Sequence, residues 1–140
     1  MKGDLQLLEH LLINANRTEA FEMLIHSYGE PIYSFFRHMG LTHDDSDELS
    51  CKLFIGFWRD IPTLKSSDSL TVLIFRMAYK LWSDLSKRDT GNDKNTLQEF
   101  ERAIFYLKYS QGFTSREISC ITKLSLAEVT CLAAALSIEN

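Results

Sequence analysis

The sequence predicts an all-α protein, a helical bundle followed by a small helix-turn-helix domain. Apolar residues recur at helical spacing along most of the chain, and helix-capping signals precede several of these runs. The stretch from Asp89 to Asn95 contains no apolar residue, which is typical of a linker. The chain therefore divides into a larger domain at residues 1–88, a linker at 89–96 and a smaller domain at 97–140.

The composition narrows the class of protein. A net charge of −4 argues against a general polyanion binder, although it permits a local basic stripe. The cysteines lack CxxC spacing and the histidines are dispersed, so we predict no disulfide framework, metal site or cofactor. No apolar run is long enough to span a bilayer, and the N-terminus lacks the layout of a signal peptide. We therefore expect a cytoplasmic protein with no membrane partner.

The segment from Asp44 to Pro62 predicts a central helix. Thr42 and Asp45 have capping-box spacing, acids crowd the first turn, and Pro62 ends the run. Apolar side chains cover about half of the cylinder, which is too wide for a single packing partner; they are Leu49, Leu53, Phe54, Phe57, Trp58 and Ile61. The remaining outer strip places one large apolar side chain among charges, which indicates a docking surface; it contains Glu48, Cys51, Lys52, Ile55 and Arg59.

Two helical runs precede this segment. Leu5, Leu8 and Leu12 predict a short amphipathic helix at the N-terminus. A second run begins at Thr18 and closes at Gly40. Proline inside a helix removes a backbone donor and clashes with the preceding turn, so Pro31 predicts two helices that meet near Gly29.

A helix from Leu70 to about Lys87 carries a basic stripe. Its predicted buried face contains Ile74, Met77, Ala78, Leu81 and Leu85. Arg76, Lys80 and Lys87 share another flank, and Phe75, Tyr79 and Trp82 lie between the two, with Arg88 following. Cations beside flat rings suit single-stranded nucleic acid. The alternative is that the rings are core residues and the lysines complement the helix dipole.

The C-terminal part predicts a helix-turn-helix. A helix from Leu97 to Leu107 ends by Gly112, and two capping boxes follow, Thr114 with Glu117 and Ser125 with Glu128. In the DNA-binding form of this layout, the second helix enters the major groove. A compact three-helix unit that binds no DNA shares the same pattern.

Together these segments resemble the RNA polymerase sigma-70 family, in particular its extracytoplasmic-function members with only regions two and four. The stretch from Phe21 to Tyr33 resembles the start of region two, and that from Asp47 to Trp58 resembles the helix that binds the clamp helices of the β′ subunit. The stretch from Phe75 to Arg88 resembles the helix that reads and melts the −10 element, and that from Glu101 to Val129 resembles region four.

The resemblance implies a transcription initiation factor that does no covalent chemistry and is not an enzyme. The larger domain would be a region-two bundle whose outer strip binds core RNA polymerase, and the smaller domain a region-four unit. Promoter DNA is the second implied partner, and the loop from Pro62 to Ser69 is a candidate wall of a base pocket. An anti-sigma factor is a further candidate partner. The implied DNA-binding residues are Arg76, Tyr79, Lys80, Trp82, Lys87, Arg88, Arg116, Lys123, Ser125, Glu128 and Thr130.

The chain departs from the family pattern at three places. Cys51 and Lys52 stand where the clamp motif usually carries glutamine and an acid. The linker spans only about 30 Å when fully extended, which is short for such factors. The helix that begins near Ser125 contains no lysine or arginine, although phosphate contacts supply much of DNA affinity. An alternative is a sigma-derived regulator whose alanine-rich last helix binds a protein partner or a second copy of itself, because the small residues 133–135 beside Leu132 and Leu136 allow close helix approach.

Overall fold

A computed structural model describes residues 17–60, 69–91 and 96–139, and these residues are helical with short connections. The predicted N-terminal helix lies outside the described residues, as do all but the last residue of the loop expected to line a base pocket. The elements are α1 (Arg17–His38), α2 (His43–Asp60), α3 (Leu70–Thr90), α4 (Leu97–Phe105), a π-helical turn (Tyr106–Ser110), α5 (Ser115–Thr122) and α6 (Leu126–Glu139).

Helix α1 is a single helix, so the prediction of two helices meeting near Gly29 is wrong. Pro31 lies inside α1, while Tyr28 and Ile32 beside it are fully buried. Burying a large apolar side chain contributes about 1.5–3 kcal/mol, so two such residues offset the cost of about 3 kcal/mol for an interior proline. Helix α1 closes as predicted at Gly40, which has a φ of 94°.

Helix α2 begins as predicted, because the Asp45 amide donates to the Thr42 hydroxyl at 3.1 Å. Leu49, Leu53 and Phe57 are buried as expected, whereas Trp58 remains 40% exposed. The helix packs against α1 and α3 but leaves the Trp58 side uncovered. It therefore lies at the side of the bundle, and the prediction that it is the central helix is wrong.

The central position belongs to α3, which packs against α1, α2 and α5. Helix α3 extends through Asp89 to Thr90, and the Gly91 amide caps it by donating to the Lys87 carbonyl at 2.9 Å. The predicted linker therefore begins too early, because its first residues belong to the helix.

The C-terminal helices share a core with the first three. Phe113 packs edge-on against Phe75 with ring centroids 5.3 Å apart, and Tyr106 packs on Phe35 at 5.5 Å. The Tyr106 hydroxyl also donates to the Pro31 carbonyl at 3.0 Å. Among the described helices, none alone is long and apolar enough to cross a membrane, although α5 and α6 pass that test as a pair bent by 117°.

Candidate docking groove and nucleic-acid flank

An apolar groove of about 830 Å³ runs between α1 and α2. At 1.5 Å per residue, its walls extend about 16 Å along α2 and about 22 Å along α1. We call this the docking groove; its lining residues are Thr18, Phe21, Glu22, Ile25, Gly29, Tyr33, Asp47, Ser50, Cys51, Phe54, Ile55 and Trp58.

The floor and walls of the docking groove expose large apolar side chains. Ile55 is 66% exposed, and the Trp58 ring stands edge-on to Phe21 with centroids 4.8 Å apart. A contiguous apolar patch on a protein surface usually marks a site of interaction. A groove of this length between two helices suits the apolar face of an amphipathic helix of three to four turns.

The rim of the docking groove is acidic. Glu22 and Asp47 line it, and Glu48 lies one residue beyond Asp47. The Lys52 ammonium is 3.3 Å from the Glu48 carboxylate, with both side chains more than half exposed. Such an exposed pair contributes little to stability, so both charges remain available to a partner. The rim therefore favours a partner helix with basic residues beside its apolar face.

The docking strip predicted from the sequence borders this groove. Its members Glu48, Cys51, Lys52, Ile55 and Arg59 are all exposed, and Cys51 and Ile55 line the groove itself. The sequence did not predict the wall that α1 contributes through Phe21 and Ile25, because both residues recur at the same helical spacing as core residues. Their spacing of four residues, offset from the fully buried Leu24 and Tyr28, is the signal that distinguishes a second apolar row.

Four of the cations predicted to contact DNA lie along α3, and we call these residues, Arg76, Lys80, Lys87 and Arg88, the basic flank. Lys80 and Arg88 are exposed, while Arg76 and Lys87 are half-buried. The Lys80 ammonium pairs with Asp84 at 3.0 Å. The Arg76 guanidinium donates through Nε to the Cys120 carbonyl of α5 at 3.2 Å. The C-terminal part therefore contacts this flank directly.

The two rings predicted to stack on bases are buried. Tyr79 is 6% exposed and Trp82 is 2% exposed, and the rings pack against each other at 5.5 Å. Tyr79 follows Arg76 by three residues, so it lies on the side of α3 that faces α5. This corrects the prediction, since neither ring is open to a base in this arrangement. Their burial agrees with the alternative given by the sequence, in which Tyr79 and Trp82 are core residues.

The helix-turn-helix geometry forms as predicted. Both capping boxes are present: the Glu117 and Glu128 amides donate to the Thr114 and Ser125 hydroxyls, and the two carboxylates accept from the cap amides. Helices α5 and α6 are bent by 117° about Lys123, which has a φ of 63°. This bend lies within the range of about 90–120° for such motifs.

The side chains of this unit offer little for reading DNA. Arg116, Lys123, Ser125, Glu128 and Thr130 are all exposed, as base or phosphate contacts require. Ser125 and Glu128 are engaged in capping, however, and the Thr130 hydroxyl donates to the Leu126 carbonyl at 2.8 Å. The remaining cations, Arg116 and Lys123, lie outside α6.

Comparison with known proteins identifies a structural relative. No family model matches the chain, and no curated protein matches it in sequence. The fold is similar to that of CnrH in the structure of CnrH in complex with the cytosolic domain of CnrY, with a TM-score of 0.75 and 16% sequence identity. The match covers 99% of this chain and 100% of that chain. The described residues therefore share the all-α fold of CnrH, which confirms the predicted fold class.

Proposed function

We propose that this protein is a sigma-type transcription initiation factor, which binds core RNA polymerase through the docking groove and directs promoter recognition and opening. The main support for this proposal is the apolar groove with its acidic rim. One wall of this groove is α2, whose sequence resembles the polymerase-binding helix. The similarity in fold to CnrH, an extracytoplasmic-function sigma factor, supports this proposal.

Binding would follow from burial of the exposed apolar residues. The clamp helices of the β′ subunit would cover Ile55 and Trp58, while Glu48 and Asp47 meet basic residues at the rim. Burial of apolar area contributes about 25 cal/mol per Å², and rim charges mainly raise the rate of encounter. In this proposal the protein recruits polymerase and holds DNA without covalent chemistry of its own.

We assign the contact with promoter DNA to the cations of the basic flank. The rings of Tyr79 and Trp82 are buried, so this proposal does not include stacking of bases on them. Lys80 and Arg88 are exposed and would reach phosphates directly, whereas Arg76 is half-buried and donates through Nε to the Cys120 carbonyl. Each phosphate that is neutralised releases counterions, so the affinity for DNA should fall steeply with added salt.

A pull-down with purified core RNA polymerase tests the docking proposal. Ile55→Glu places a charge in the apolar groove and should lower recovery by about tenfold or more. Glu48→Lys inverts a rim charge and should weaken binding most at low salt. Met23→Glu is the matched control, because Met23 is exposed on α1 but does not line the groove. The proposal would be contradicted if all variants recovered the same amount of polymerase, or if the wild type recovered no polymerase.

We infer that an anti-sigma polypeptide is a second occupant of the docking groove. CnrH was solved in complex with the cytosolic domain of CnrY, which makes a polypeptide partner reasonable for a chain with the same fold. Such a partner would compete with polymerase, and Ile55→Glu would weaken both complexes.

The second candidate function is a sigma-derived regulator that binds protein rather than −35 DNA. The lack of cations in α6 favours it, together with Leu126, Ala134 and Ala135, which are exposed on that helix. In vitro transcription with core polymerase on a promoter library separates the two functions, because only an initiation factor yields transcripts. Sedimentation then shows whether the regulator self-associates.

A further inference from the structure

We propose that Gly29 of α1 and Ser50 of α2 form a notch in the docking groove, which receives one large side chain of the polymerase helix that lies in the groove. The tip of that side chain would carry a hydrogen-bond donor. This inference rests on the proposed function, because it names the feature of the groove that selects the partner. It assigns Gly29 a role in binding rather than in the fold.

The first observation is a gap in a row of side chains along α1. Phe21, Ile25, Gly29 and Tyr33 follow one another at intervals of four residues, and all four line the docking groove. Residues at this interval form a ridge on a helix surface, and a partner helix packs its side chains between such ridges. Glycine has no side chain, so the ridge is interrupted over the roughly 12 Å from Ile25 to Tyr33. This gap can accept a large side chain.

The second observation is that no contact in the described part of the chain requires glycine at position 29. Gly29 lies inside α1, and it is not among the residues with a positive φ. A Cβ atom at this position would meet no neighbouring atom of the described residues within 4 Å. Glycine destabilises the interior of a helix relative to alanine, because it loses more backbone entropy on folding. The glycine therefore lowers stability without relieving a contact between these residues.

The third observation is an unsatisfied hydroxyl on the opposite wall. Ser50 lines the docking groove, and its Oγ is buried without a hydrogen-bond partner among the described residues. Buried polar groups are rarely left unpaired in native proteins, because their desolvation is then not offset. Asp47 lines the groove three residues earlier and is exposed. A side chain that donates hydrogen bonds, such as arginine or lysine, can satisfy both groups.

Ring contacts place the gap and the hydroxyl on facing stretches of the groove. Phe21 contacts Trp58 near the start of α1 and the end of α2. Tyr33 stacks on His43 near the opposite ends of the two helices, with ring centroids 6.0 Å apart. The helices are therefore antiparallel. The gap lies between Phe21 and Tyr33, so it faces the middle of α2, which carries the hydroxyl.

The experiment compares variants of the full chain by thermal unfolding and by recovery of core RNA polymerase. Gly29→Ala should raise the unfolding midpoint by about 2–5 °C, because alanine favours the helix and restricts the unfolded chain. Gly29→Leu fills the gap and should lower polymerase recovery by about tenfold. Ser27→Leu is the matched control, because it adds the same side chain at an exposed position of α1 outside the groove. Its recovery should stay within about twofold of the wild type.

A pair of peptides tests the chemistry of the incoming side chain without polymerase. Both are fluorescein-labelled amphipathic helices with leucines on one face, and they differ only at one central position, which is arginine or alanine. The wild type should bind the arginine peptide roughly tenfold tighter in an anisotropy titration. Ser50→Ala should reduce this preference to about threefold, and Gly29→Leu should abolish it.

A lower unfolding midpoint for Gly29→Ala would overturn the proposal, because the glycine would then serve the backbone of α1 beside Pro31. Unchanged polymerase recovery with Gly29→Leu, or equal affinities of the wild type for the two peptides, would overturn it as well. If the wild type recovers no polymerase, the proposed function fails. The peptide preference then decides whether the notch receives such a side chain from another helix.

Discussion

Individual residues show why helical periodicity alone does not determine whether a side chain is buried or exposed. Tyr79 and Trp82 were expected beside DNA and are buried, whereas Trp58 was expected in the core and is 40% exposed. Periodicity determines the angle at which a side chain leaves the helix axis. It does not determine which neighbouring helix covers that angle.

Glu99 is a residue whose protonation state affects the packing of α4 on α3. Its carboxylate accepts from the Ser86 hydroxyl at 2.6 Å and from the Thr96 amide at 2.8 Å. Burial alone would raise the pKa of Glu99, but the hydrogen bonds from Ser86 and Thr96 and the charge of Arg102 together hold the pKa of this carboxyl below its ordinary value. The folded state therefore favours the ionised form.

We predict that Glu99 stabilises the protein above its unfolded pKa and that this stabilisation is lost as the pH falls through the lowered folded pKa. Because this carboxylate is partly open to solvent, Glu99→Gln should cost less than about 1 kcal/mol of unfolding free energy at neutral pH and less still in acid. Urea denaturation of both proteins across this pH range measures the difference. Glu19→Gln, at an exposed position in the first turn of α1, is the control. A loss of unfolding free energy that is the same at every pH would contradict this role of Glu99.

At the scale of elements, local signals identified the helix starts well. The predicted capping boxes at Thr114 and Ser125 both form, because each requires only residues within one turn. The exception is Pro31, where burial of the neighbouring side chains overrides the local preference of proline.

We predict that Pro31→Ala stabilises α1 by about 1–2 kcal/mol, because it restores a helical backbone donor and relieves the clash of the ring. The Pro31 carbonyl that accepts from Tyr106 is retained in alanine. Thermal unfolding should show a higher midpoint, and Ser27→Ala, at an exposed position of the same helix, should change the midpoint far less. A lower midpoint for Pro31→Ala would contradict this prediction. It would indicate that the proline ring stabilises the protein by lowering the conformational entropy of the unfolded chain.

At the scale of the whole molecule, the two predicted domains share one core. That core contains Phe35 and Phe75 from the first part with Tyr106, Phe113 and Ile118 from the second. Side chains from both parts contact each other directly, and hydrogen bonds cross between them. A shared core of this kind couples the unfolding of its parts.

We predict that the full chain unfolds in a single transition. Calorimetry should give an enthalpy of about 100 kcal/mol near 60 °C, and it should equal the van't Hoff enthalpy. The reason is that loss of residues 97–139 exposes Phe75 and Phe35, which belong to the core of the first three helices. Two resolved transitions would contradict this prediction, because they would show that the parts fold independently.

Residue spacing within a single helix was enough to predict the all-α class, the helix starts and the exposed strip around Ile55. It could not predict that α1 supplies the second wall of the groove, that α3 is central, or that α5 contacts Arg76. These features depend on which faces meet across distant parts of the chain. The spacing of residues along one helix carries no information about the helix packed against it.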